Sequence, residues 1–90
     1  MEKYICIRFG RKSGKIDKTL EGISSAMLRL WALQNTPKTK DTIIFCLETG
    51  NIVFYCEGNE SGFPKVHEDM EKRNIEDLCP GLLEVMQKGE

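Results

Sequence analysis

The amino-acid sequence predicts a small α+β domain. The expected form is a two-layer sandwich in which a three-stranded, mostly antiparallel sheet carries helices on one face, in the order β-α-β-β-α. Three observations lead there. One early segment alternates apolar and polar residues, a second repeats apolar residues at helical spacing, and two further apolar runs flank a Gly-Asn turn.

The first strand runs from Tyr4 through Ile5, Cys6, Ile7 and Arg8 to Phe9, with Ile5, Ile7 and Phe9 on one face. Residues 10–15 interrupt it with two glycines and the cations Arg11, Lys12 and Lys15. A helix is expected next, with Asp17 as its N-cap and Glu21 near the positive end of its dipole. Its inward stripe would be Leu20, Ile23, Met27, Leu30 and Trp31, preceded by Ile16, and it would run to about Gln34. Gly22 and the Ser24-Ser25 pair weaken its centre. Asn35 and Pro37 end it.

Residues 42–47 and 52–56 form the expected hairpin, closed by a two-residue Gly50-Asn51 turn. That turn places Leu47 opposite Phe54, Cys46 opposite Tyr55 and Phe45 opposite Cys56. One face then holds Ile43, Phe45, Leu47, Ile52, Phe54 and Cys56, and the other Ile44, Cys46, Glu48, Val53, Tyr55 and Glu57. Cys46 and Cys56 fall on opposite faces, against their bridging. Residues 58–62 read as a polar loop. Pro64 suits a helix start, and Val66, Met70 and Arg73 suggest a short acidic helix. Asn74 caps a turn through Leu78, Pro80-Gly81 interrupts, and Leu82, Leu83, Val85 and Met86 form a last helical piece. The first strand pairs with either hairpin strand; by analogy with half of a ferredoxin-like layout the order would be 1-3-2.

Ninety residues, 40% of them apolar, suit one domain over positions 1–90. The longest apolar runs hold five residues each, against about 20 for a membrane span. Only four uncharged residues separate Lys3 from Arg8, too few for the apolar part of a signal peptide. A cytoplasmic protein without a membrane partner is therefore expected. Cys6, Cys46, Cys56 and Cys79 are scattered, with no close pair of the kind zinc sites use and His67 near none of them. They read as buried thiols, and neither metal nor cofactor is expected.

Charge is polarised along the chain. Positions 1–40 hold nine Lys/Arg against three Asp/Glu, a balance of +6, and positions 41–90 hold four against eleven, a balance of −7. Such asymmetry points to charged partners or to self-complementarity.

Catalytic patterns fail one by one. A nucleotide-binding loop needs G-x-x-x-x-G-K-[ST], whereas Gly10 to Gly14 is one residue short and Ile16 replaces the hydroxyl. His67-Glu68 lacks the second histidine of a zinc-protease helix, since position 71 is Glu71. One histidine limits any serine triad, and the carboxylates around Glu68 and Glu71 lie in a charged, solvated run. The aromatic signature of RNA-recognition sheets is also absent between Gly50 and Tyr55.

The expected function is therefore a non-enzymatic protein-binding module of adaptor or inhibitor type. Its docking surface would be the semi-apolar sheet face of Tyr4, Arg8, Ile44, Val53 and Tyr55, the hairpin edge, or the acidic helix bearing Glu68 and Glu71. Nucleic-acid or anion contact through Arg11, Lys12, Lys15 and Lys18 is the first alternative. A homodimer pairing the +6 end of one chain with the −7 end of another is the second.

Overall fold

Seven alternating residues at the start of the chain produce the first strand, β1 (Tyr4–Gly10), and the computed structural model describes residues 2–88. The chain then turns back on itself. Gly14 adopts φ 71° and its N–H donates to the Gly10 carbonyl at 2.8 Å, while Gly10 N–H donates to Lys15 at 3.0 Å. A left-handed residue suits glycine because it has no Cβ to clash. The turn delivers β2 (Ile16–Gly22), antiparallel to β1.

The expected helix from Asp17 is therefore two elements. Its first third is strand, because Cys6 and Arg8 of β1 face Leu20 and Lys18 across the ladder and Leu20 packs towards the core. Tertiary pairing overrides a helical spacing that rested on two residues of this stretch. Arg8 faces Lys18 but Phe9 faces Ile16, so Asp17 is the extra residue of a bulge. It caps no helix. Its carboxylate accepts from Arg8 Nε at 2.9 Å and pairs with the Lys40 ammonium.

Helix α1 (Ser25–Asn35) begins only at Ser24, whose extended backbone and side-chain oxygen cap the Met27 N–H. The Gly22 and Ser24-Ser25 residues that weakened the long helix mark this boundary. Thr36 closes the other end by donating its hydroxyl to the Ala32 carbonyl at 2.6 Å.

The chain continues through β3 (Lys40–Cys46) and β4 (Ile52–Glu57). Their hairpin differs from expectation in turn and register. Ile44 faces Phe54 but Phe45 faces Ile52, which makes Val53 a bulge. One extra residue sends every later side chain to the opposite face. Ile43, Phe45, Leu47, Ile52 and Tyr55 share one face, and Ile44, Val53, Phe54 and Cys56 the other. Alternation along β3 places Cys46 on the side of Ile44 and Cys56, so parity does not separate the two thiols; both are free.

After the loop, residues 65–72 depart from the expected helix. They form the two-residue strand β5 (Lys65–Val66) and a 3-10 helix (Glu68–Lys72). Asn74 does cap α2 (Ile75–Leu78), in a reciprocal box with Asp77. Pro80-Gly81 separates it from α3 (Leu82–Lys88).

Among the described residues the strands form one antiparallel sheet in the order β2-β1-β3-β4-β5. This replaces the expected three strands, and β1 lies beside the first hairpin strand, not the second. Helices cover both faces rather than one. Leu28 and Ala32 of α1 pack on Cys6, Ile44, Phe54 and Cys56. Ile75 packs on Ile5, Ile7, Ile43, Phe45, Leu47 and Ile52 from the other side, with Leu78, Leu82, Leu83 and Met86 around it. Ile43, Ile44 and Phe45 are 0% exposed, and each contributes about 1.5–3 kcal/mol by leaving water.

The loop after β4 contains the tightest backbone approach. A Cβ at Gly58 would lie 1.8 Å from the Pro37 carbonyl oxygen, whereas one at Gly62 would meet nothing within 4 Å despite φ +86°. Gly58→Ala should cost about 3 kcal/mol because backbone must move apart, and Gly62→Ala only about 1 kcal/mol of φ strain. Urea unfolding of both variants checks this difference.

Candidate functional site

Two arrangements stand out, one on the outer side of α1 and one where three loops meet. On α1, two arginines fix the helix against the sheet. Arg8 lies over the Trp31 ring at 5.5 Å and donates from Nη1 to the Asn35 carbonyl at 2.7 Å. Arg29 lies over Phe54 at 5.7 Å and donates to the Val53 carbonyl at 3.2 Å. Cation–π contacts of this kind add about 0.5–2 kcal/mol.

With Leu28 and Ala32 turned inward, helical periodicity turns Met27 and Leu30 outward, and Ile23 lies in the bend just before the Ser24 cap. They are 62%, 67% and 52% exposed. Ala26 and Gln34 are exposed on the same side. The helix contains no Asp or Glu, and its one formal charge, Arg29, is bound to its own chain. The result is a short apolar strip of Ala26, Met27 and Leu30, about one helical turn long, with Ile23 exposed beside its N-terminal end.

The second arrangement centres on Asp41, a carboxylate only 5% exposed. Arg11 donates to its Oδ1 from Nε at 3.2 Å and from Nη2 at 2.9 Å, and the Tyr55 hydroxyl donates to Oδ2 at 2.7 Å. The same Nη2 donates to the Gly58 carbonyl at 2.6 Å. Arg11 thus ties the β1–β2 turn, the start of β3 and the end of β4 together. Burial, and then the Asp41 hydrogen bond, push the Tyr55 phenol up from its ordinary value. Glu57 holds His67 Nε2 at 2.7 Å, and that contact pulls its carboxyl below the usual range. His67 also meets Tyr55 edge-on, ring centres 5.5 Å apart.

An open cleft of about 680 Å³ lies beside this network, lined by Arg11, Lys12, Lys38, Lys40, Glu57 and Glu60 with the backbone between them. Arg11, Lys40 and Glu57 of this lining are engaged in ion pairs with Asp41, Asp17, His67 and one another.

The residues singled out from the sequence are distributed differently from expectation. The open sheet face of Tyr4, Arg8, Ile44, Val53 and Tyr55 does not exist as a surface, because α1 lies on it. Ile44 is 0% exposed, Tyr4 and Val53 are half-buried beside it, and Tyr55 points to the opposite face. The outer edge of the hairpin is also occupied: His67 N–H donates to Tyr55 and Ile52 N–H to Arg73. Glu68 and Glu71 are exposed on the 3-10 helix. Arg11 serves the protein's own acceptors. Lys12, Lys15, Lys18 and also Lys38 are exposed and form no ion pair among the described residues.

The thiols of Cys6, Cys56 and Cys79 are poor nucleophiles. Burial pushes Cys6 up to about 12 and raises Cys56 and Cys79, and the thiolate is the reactive form. Among the described residues no group of three His, Cys, Asp or Glu side chains could hold a metal ion. No described helix is long and apolar enough to cross a membrane.

The outward ridge of α1 is the feature that sequence reasoning missed, because the same residues were assigned to the core. The available signal was Ser24, a strong cap three residues before Met27. No protein-family model, curated protein or solved structure matches the chain.

Removing the Arg11 side chain leaves a buried carboxylate with two donors fewer. Arg11→Ala should cost about 2 kcal/mol, whereas Lys12→Ala should stay within about 0.5 kcal/mol. Chemical denaturation of the two variants measures both.

Proposed function

We propose that the chain is a non-enzymatic protein-binding module that docks through the outer face of α1. The observation that carries this reading is the apolar patch of Met27 and Leu30 on α1 with Ile23 just before its cap, all more than half exposed. Scattered exposed apolar residues need no explanation, but a contiguous apolar patch commonly marks an interaction surface. This patch sits on a helix fixed by two arginine–aromatic contacts and a buried hydroxyl pair, Thr36 and Thr42, 2.6 Å apart. A rigid ridge loses little conformational entropy on docking, which favours binding.

The rival docking surfaces have less in their favour. Covering Ile44 and Val53 with α1 takes the sheet face out of reach. The free edge of β2 bears Asp17, Lys18 and Glu21, and charge on an edge strand opposes strand addition. Glu68 and Glu71 offer only solvated charge, which tunes association rate more than affinity.

A second reading draws on the four exposed lysines. Lys12, Lys15, Lys18 and Lys38 surround the turn and loop on the sheet's basic end, and they suit phosphate contact without base readout. Their contacts would weaken roughly a hundred-fold over a four-fold rise in salt.

One capture experiment separates the two. Tagged wild-type protein, Met27→Glu and a variant with the four lysines changed to Ala are passed over lysate, with and without nuclease, at low and high salt. The docking reading expects a stoichiometric protein that survives nuclease and is lost with Met27→Glu. Nucleic acid that is lost with the lysine variant or at high salt would replace it with the second reading.

A further inference from the structure

We infer that α3 is a strap that opens as a unit about a hinge at Pro80-Gly81 and uncovers apolar sheet surface, while α2 and the strands stay in place. The device lies on the sheet face opposite α1 and is independent of the docking reading.

The hinge has room to turn. Gly81 adopts φ +87°, and a Cβ there would meet nothing within 4 Å. Pro80 has no N–H with which to continue α2 into α3. No side chain packed against Gly81 resists a change of its backbone angles.

The chain before the hinge is anchored. Ile75 N–H donates to the Gly50 carbonyl at 2.8 Å, and Asn74 Nδ2 donates to the Thr49 carbonyl at 2.9 Å and to Asn51 Oδ1 at 3.1 Å. Ile75 itself is 0% exposed. These bonds fix α2 to the β3–β4 turn.

The chain after the hinge is only latched. Helix α3 has no fully buried residue. At its start the Glu76 carboxylate accepts from Gly81 N–H at 2.9 Å and from Leu83 N–H at 3.2 Å. This latch stands in for a cap, because the first amides of a helix find no partner within it. At the far end Gln87 Nε2 donates to the Leu47 carbonyl at 2.9 Å. A helix of seven residues does not persist alone in water. Once lifted, α3 therefore loses its internal hydrogen bonds together.

Beneath the strap, Leu82, Leu83 and Met86 are half-buried against the cluster that holds Ile7, Phe45, Leu47 and Ile52. An open apolar cleft of about 540 Å³ already runs beside them, lined by Ile7, Phe9, Ile16, Leu78, Leu82 and Val85. Lifting α3 extends this cleft over the ground that Leu83 and Met86 now cover. Segments with few buried contacts open at lower free energy than the whole fold, and β3, buried on both faces, lies at the other extreme.

The test is native-state hydrogen exchange of wild type, Glu76→Ala and Gln87→Ala, with anilinonaphthalene sulfonate as a probe of uncovered apolar surface. In wild type the amides of Leu83, Val85, Met86 and Gln87 should share one protection factor, about a hundred-fold or more below that of the β3 amides. Glu76→Ala should speed exchange of all four about ten-fold and Gln87→Ala a few-fold, with β3 unchanged and dye fluorescence raised. Gln87 is exposed and remote from the hinge, so its variant reads the latch even where Glu76→Ala does not fold. Protection in α3 equal to that in β3 would overturn the strap, since the helix would then open only with the whole fold. A steady fall of protection toward Gln87 would overturn it as well, because that is fraying from the chain end. So would faster exchange in α3 without added dye binding, for the apolar surface would then have stayed covered.

Discussion

Strand β3 is buried on both of its faces, and the rest of the architecture answers to that constraint. Asp41 to Leu47 are all buried, with apolar side chains pointing up and down in turn. A strand that is apolar on both sides must have layers above and below it. The chain supplies α1 on one side and the C-terminal helices on the other. Helix α1 buries Leu28 and Ala32 and packs Trp31 and Leu33 partly against the same core. The opposite side of the helix is left facing water, and there the sequence places Met27 and Leu30, with Ile23 exposed just before the cap. The ridge is not a packing defect of the core; it is surplus to a core already filled.

A polar counterpart holds the open end of the sheet. Asp41 lies buried near the start of β3, where an unpaired carboxylate would be costly. Arg11 and Tyr55 satisfy both of its oxygens, and the second contact of Arg11, with the Gly58 carbonyl, brings the β4–β5 loop against Pro37. A side chain at position 58 would not fit there. The strand that demands two apolar layers is thus the strand whose second residue, Asp41, organises the loops. Removing one partner from such a network is more destabilising than never having built it.

Much of this was legible from the residues alone. The alternation of Ile5, Ile7 and Phe9 located β1, the apolar runs located β3 and β4, and Asn74 with Pro80-Gly81 divided the last helices correctly. What failed did so for physical reasons. Residues 16–22 form a strand only because β1 offers them a ladder, a non-local contact that local spacing cannot register. The bulge at Val53 exchanged the faces of Phe54, Tyr55 and Cys56, and no turn rule announces a single inserted residue. Those two errors compounded at the proposed docking surface. A helix read as starting at Asp17 had to turn Ile23, Met27 and Leu30 inward, and a hairpin without a bulge had to leave Tyr55 and Ile44 together on an open face. Arg11 shows the same limit for charge: nothing near it in sequence says that its acceptors lie thirty and more residues away.

The orientation of α1 is the claim on which both the fold and the function turn, and a glutamate scan along the helix reads it directly. Thermal unfolding is measured for single glutamate substitutions at Ile23, Met27, Leu28, Leu30 and Ala32. The structure predicts that Leu28→Glu and Ala32→Glu unfold the protein or lower its midpoint severely, since a charge would be buried, while the other three leave it nearly unchanged. The reverse pattern, with positions 23, 27 and 30 intolerant and 28 and 32 tolerant, would contradict the account and return those residues to the core.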